Sequence, residues 1–274
     1  MAAEASGDES VHRPQRTAAG RAGTGPIRAR RFLASRGGYS HGVATEVSEE
    51  VGRQVDRSLL EQGLADAERQ AVAELELVRA SLRNAVKVAT SDVGRPSGKL
   101  IELAHESEQR YAELHDGLLA LIARQAPVAG DLRLAMALLH VNDRVERMNA
   151  QCVNIATMRS AISNGGRPSA RQLGCLAAMA RLAGEQVGEA AQAFAQRDVD
   201  AALRLRDHDL AINDYNRRCF THAIEDGKDE ARREAAFFVA LMARAVERIG
   251  DNAVDVGQQA IFVVTGRLRP GTGS

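Results

Sequence analysis

Three carboxylates recur at four-residue intervals near the C-terminus, in Ala243-Arg-Ala-Val-Glu247-Arg-Ile-Gly-Asp251-Asn-Ala-Val-Asp255. On an α-helix each step of four turns by roughly 400°, so the three drift by only about 80° and share one face. One cation can then see all three. Hard cations such as Mg, Mn or Fe accept oxygen-only sets of this kind, whereas Zn usually recruits His or Cys. The same spacing also suits an ordinary ion-pair ladder. Arg244 stands three residues before Glu247 and Arg248 three before Asp251, and such pairs contribute about 0.2 to 0.5 kcal/mol each. Gly250 lies where a helix former is expected, which suggests that something approaches the backbone closely there.

The elements that must carry these residues are helices. From Val51 onward apolar residues return at three- and four-residue intervals, as in Leu75, Val78, Leu82, Ala85 and Val86, the pattern of an amphipathic helix. Strand signals are nearly absent. Breaks at Gly94-Arg95-Pro96, Ala126-Pro127, Asn164-Gly165-Gly166-Arg167-Pro168, Arg197-Asp198 and Asp226-Gly227-Lys228 leave six helices. The expected spans are 51–90, 97–125, 128–163, 169–196, 198–226 and 229–265. Helices this long with short connections lie antiparallel, so the fold class is all-α, two tandem three-helix bundles over 51–164 and 168–266. Gly174, Gly184 and Gly188 on the fourth helix are expected to trade propensity for closer helix contact. Residues 1–48, rich in Arg and Gly, and 267–274 are expected to be disordered tails.

Bulk chemistry narrows the function. Lys plus Arg and Asp plus Glu number 36 each, so no broad positive field exists for nucleic acid. Trp is absent and aromatics are 3%, which removes the usual base-stacking platforms. Cys152, Cys175 and Cys219 are scattered, without a C-x-x-C pair, and read as free thiols in a reducing compartment, hence a cytoplasmic protein. No apolar run approaches the roughly 20 residues that cross a bilayer. P-loop, G-x-S-x-G and HEXXH-type runs are missing, as are the Glu-x-x-His pairs of a di-metal carboxylate enzyme, so no enzyme is expected.

Shifting the chain by 101 positions lays Ala135–Ile155 on Ala236–Val256 and brings Val145-Glu146-Arg147 onto Val246-Glu247-Arg248. The halves read as a duplication. Together with Gln125-Ala-Pro-Val-Ala-Gly-Asp131-Leu-Arg133, Glu247-Arg-Ile-Gly-Asp251 and Gln258-Gln-Ala-Ile-Phe-Val-Val-Thr-Gly266, this resembles the PhoU phosphate-signalling regulators over roughly 97–266, with an ending most like their actinobacterial branch.

That resemblance implies a cytoplasmic negative regulator of the phosphate-starvation response. It would couple the ATPase subunit of a phosphate ABC transporter to a sensor histidine kinase, form a homodimer and touch membranes only through those complexes. It also implies a divalent or trivalent metal ion, Fe, Mn, Mg or Zn. Its ligands would be Glu247, Asp251 and Asp255, with Asp209 and Asn213 on the fifth helix and weaker contributions from Asp207, His208 and Glu146. In the first half Ala150 and Asn154 stand where Asp251 and Asp255 stand in the second, so that site is expected to be weak or absent. Asp131, Arg133, Arg147 and Arg248 are the candidate partner contacts. Asp131 has a second explanation as a charge in the first turn of the third helix, where it satisfies free backbone N–H groups. Glu102, Glu106 and Glu108 read as solvent-facing charges. His140 and His222 read as isolated, leaving His208 as the one histidine placed to join the acids.

Overall fold

The computed structural model describes residues 41–91, 98–162 and 167–268. It divides into two units, Met1–Thr45 and Glu46–Ser274. The first is described only in the opening turn of a helix, and the second carries everything else. Among the described residues there are six helices: α1 His41–Thr90, α2 Gly98–Gln125, α3 Ala129–Ala161, α4 Ala170–Gln196, α5 Val199–Asp226 and α6 Glu230–Thr265. No strand occurs among the described residues. α1 starts ten residues ahead of the expected Val51, and both the remaining tail, 1–40, and 269–274 lie outside the described residues.

Helix ends follow from side-chain chemistry. Ser169, Asp198 and Asp229 cap α4, α5 and α6, accepting bonds from the backbone N–H of Gln172, Ala201 and Ala231; each such cap contributes about 1 kcal/mol. α3 departs from expectation. Its N-cap is Val128, with no side-chain cap bond, so Asp131 in the first turn acts only through its charge on the helix dipole. At the far end of α6, Gly266 takes φ 70° and donates its N–H to Phe262 O at 2.8 Å, a left-handed stop that glycine adopts without a Cβ penalty.

The duplication is visible in the element bounds. α2 and α5 begin at Gly98 and Val199 and end at Gln125 and Asp226, and α3 and α6 begin at Ala129 and Glu230, an offset of 101 residues each time. The two trios nevertheless share one core, running from Leu60 to Ile261 and filled by Leu75, Leu138, Met148, Leu176, Phe194, Leu205 and Met242. Each of these large side chains contributes about 1.5 to 3 kcal/mol on burial.

Two contacts between α3 and α6 fix their sense. Arg144 pairs with Asp255, and Arg133 lies against Gly266, so eleven residues up α3 are eleven residues down α6. The pair is antiparallel. α1 and α4 meet the same way, through Arg197 on Glu68 at 2.6 Å and Arg79 Nε on Gly184 O at 3.0 Å. The expected close approach at the α4 glycines holds at Gly188, where a Cβ would meet the Arg79 guanidinium at 2.8 Å. At Gly174 and Gly184 a Cβ would meet nothing within 4 Å, so packing does not account for those two.

Candidate functional site

The acidic strip lies along the seam between α6 and α5. Glu247 is buried and held by Arg244 one turn earlier. Asp255 is held by Arg144 of α3, Nε to Oδ2 3.3 Å. Asp209 on α5 accepts from Asn213 Nδ2 at 2.9 Å and from Gln186 Nε2 of α4 at 3.4 Å. The same Gln186 amide donates to Gly250 O at 3.1 Å, tying three helices together from a side chain that is 1% exposed. Only Asp251 of the strip makes no ion pair or hydrogen bond.

Gly250 has its explanation here. A Cβ on it would stand 3.0 Å from Ile212 Cδ1 and 3.2 Å from Asp209 Oδ1. The group that approaches the backbone closely is α5 itself. Burial raises both Asp209 and Asp251 above the ordinary carboxyl range; the Gln186 and Asn213 hydrogen bonds only partly counter this at Asp209, and the neighbouring charge of Asp209 adds to it at Asp251.

The structure sorts the remaining candidates. His208 turns to Glu189 of α4 and lines a cavity with Gln192, Gln196 and Arg204, not the acidic strip. Asp207 is exposed. In the first repeat Glu146 is half-buried, and the equivalents of Asp251 and Asp255, Ala150 and Asn154, are exposed. Arg147 pairs with Asp143 at 3.2 Å and is exposed, as is Arg248; the Arg248 to Asp251 rung of the expected ladder does not form, although the Arg244 to Glu247 rung does. Glu102 and Glu108 face solvent as expected. Glu106 is exposed too and pairs with Arg110, whose Nη1 also reaches the buried Glu74 on α1 at 3.0 Å.

Sequence reasoning missed Gln186, Arg144 and the Glu74–Arg110 pair. Gln186 carried a signal, a polar residue between the core positions Ala183, Val187 and Ala190 of α4. Arg144 carried none, because its partner comes from the other repeat.

The described residues form a repeat-built, all-helical bundle with one shared core and polar seams between its helices. The profile of the PhoU domain matches residues 72–158 and again 176–260, and the chain belongs to the PhoU family. It is 35% identical over 158 residues to the phosphate-specific transport system accessory protein PhoU homolog 1 of Mycobacterium tuberculosis, covering 57% of this chain and 71% of that protein. With PhoU homolog 2 of the same organism it shares 31% over 155 residues, 57% of this chain and 72% of that one. Among solved structures, PhoU from Pseudomonas aeruginosa superposes with a TM-score of 0.66 at 24% identity, over 76% of this chain and 99% of that one. The phosphate transport system regulatory protein PhoU from Streptococcus pneumoniae gives 0.68 at 17%, over 77% and 99%. Those two likenesses bear on the fold.

The strip as folded does not fit the metal ion that the resemblance implies. A hard cation wants several uncommitted carboxylate oxygens, yet Glu247 and Asp255 face guanidinium groups and Asp209 faces two amide donors. Among the described residues no three His, Cys, Asp or Glu side chains are grouped to hold one ion. No helix of the described residues is long and apolar enough to cross a membrane.

Proposed function

We propose that the protein is a cytoplasmic, non-catalytic accessory regulator of phosphate-specific transport that works by contact with other proteins. The observation that carries this reading is the PhoU match along both repeats, with relatives named as accessory proteins of that transport system. In the finer form, the protein contacts the ATPase subunit of the phosphate ABC transporter and a sensor histidine kinase. It acts as a homodimer and holds the phosphate-starvation response off while phosphate is plentiful.

A surface suited to such contact stands at the tip of the α2–α3 hairpin. Val128 is 72% exposed, and Leu132 and Met136 continue the exposed apolar line along α3. Ala126 and Ala129 flank it with φ of 44° and 46°. Left-handed backbone costs a non-glycine residue about 1 to 2 kcal/mol and persists where the surroundings enforce it, often at binding surfaces. Arg133 and Asp131 lie on this tip, and Arg147 and Arg248 stand exposed on α3 and α6.

Deleting the gene in a strain without a paralogue tests the reading. An alkaline-phosphatase-type reporter should become active in phosphate-rich medium. Normal repression there would count against it.

A further inference from the structure

We infer that the acidic seam of the second repeat is closed by the protein's own cations and amides, and that it serves as a clasp between repeats in place of a metal site. This stands apart from the transport reading and can fail without it.

Asp255 is a point where the two repeats meet. Its counter-ion, Arg144, comes from α3, so the guanidinium crosses from the first repeat to neutralise an acid of the second. Glu247 is satisfied within its own helix by Arg244. Asp209 is satisfied from two sides, by the α4 amide of Gln186 and the α5 amide of Asn213. Each amide takes one of the roughly four lone-pair sites of the Asp209 carboxylate, leaving fewer for a cation. The close packing at Gly250 completes the seal, since Ile212 and Asp209 already fill the space beside the backbone. Asp251 is the one uncommitted carboxylate of the strip, and a single carboxylate on a helix is a weak ligand for any ion. The first repeat uses the same device in another place: the Arg110 guanidinium lies between Glu74 and Glu106.

If internal cations occupy the seam, removing them should open it. The experiment is metal analysis of the full-length protein after equilibration with Mn²⁺ or Fe³⁺ and desalting, with the fold checked by circular dichroism. Wild type should retain no stoichiometric metal. The Arg144→Gln/Arg244→Gln double variant should bind Mn²⁺ measurably, and adding Asp251→Asn and Glu247→Gln should abolish that gain. Should the double variant fail to fold, Arg144→Lys and Arg244→Lys serve, because a lysine loses the planar fork yet keeps a charge; these should still exclude metal. One equivalent of metal retained by wild type and lost in Asp251→Asn would overturn the inference. So would a folded double variant that binds no more metal than wild type.

Discussion

Arg144 of α3 and Asp255 of α6 form an ion pair at 3.3 Å that joins the first repeat to the second. Both groups are partly solvated, so the pair contributes modestly, about 0.5 to 1 kcal/mol. Its consequence is positional. With Arg133 against Gly266 at one end and Arg197 on Glu68 beneath, it holds two antiparallel helix pairs in one register, so the repeats behave as a single body.

Burial disfavours the charge of Asp251, and repulsion from Asp209 and Asp255 adds to that, together outweighing the pull of Arg244 and Arg248. Asp251→Asn should therefore leave the melting temperature at pH 7 unchanged or raise it. Differential scanning calorimetry of the two proteins, without added metal, makes the comparison. A large drop would mean that this carboxylate has a stabilising partner.

Glu74 is 4% exposed and is raised above the ordinary carboxyl range by burial, against the pull of Arg110. Removing the guanidinium leaves a buried charge alone. Arg110→Ala should cost about 2 kcal/mol or more, short of the 3 to 5 expected for a fully buried pair because Arg110 is partly solvated. Glu74→Gln/Arg110→Met should cost clearly less than Arg110→Ala, as urea unfolding midpoints would reveal.

The Asp226 carboxyl, buried at the end of α5, would be raised by that burial alone. The Ser169 hydroxyl and the Arg171 guanidinium outweigh it and hold the group below its ordinary value. A depressed carboxyl contributes stability that is complete above the unfolded value of about 3.9 and is lost as pH falls through the folded one. Wild type should therefore melt above Asp226→Asn at pH 6, and the gap should close on acidification below about pH 4. A gap that widens in acid would reverse the sign.

All three cysteines are buried, and burial pushes Cys152 up to about 12. Thiolates are the reactive species. Native protein should thus resist an aromatic disulfide reagent, and all three thiols should react once urea unfolds the chain. Fast labelling of the folded protein would show that a helix opens locally.

Much of this fold was legible in the sequence because its causes are local. Periodicity announced each helix, and the breaks at Asn164-Gly165-Gly166-Arg167-Pro168, Arg197-Asp198 and Asp226-Gly227-Lys228 announced three starts. The alignment of Glu146 with Glu247 announced the duplication. The site was legible only as a list of acids on one face. What decides their chemistry comes from elsewhere: Arg144 lies 111 residues from Asp255 and Gln186 lies 64 from Gly250. Neither spacing leaves a periodic trace. The α3 start was legible to within a residue and Asp131 stands in its first turn, but the cap was not legible, because a carboxylate near a helix N-terminus need not cap it, and here Val128 holds that place.

The most direct test of the account is quantitative affinity capture from cells grown in high phosphate, comparing wild type with Val128→Asp/Leu132→Asp at the hairpin tip. Wild type should enrich the ATPase subunit of the phosphate transporter, and the variant, folded by circular dichroism, should lose about tenfold or more of that enrichment, the equivalent of about 1.4 kcal/mol of contact energy. Capture of neither that subunit nor a sensor kinase by wild type would contradict the account, as would equal capture by the variant.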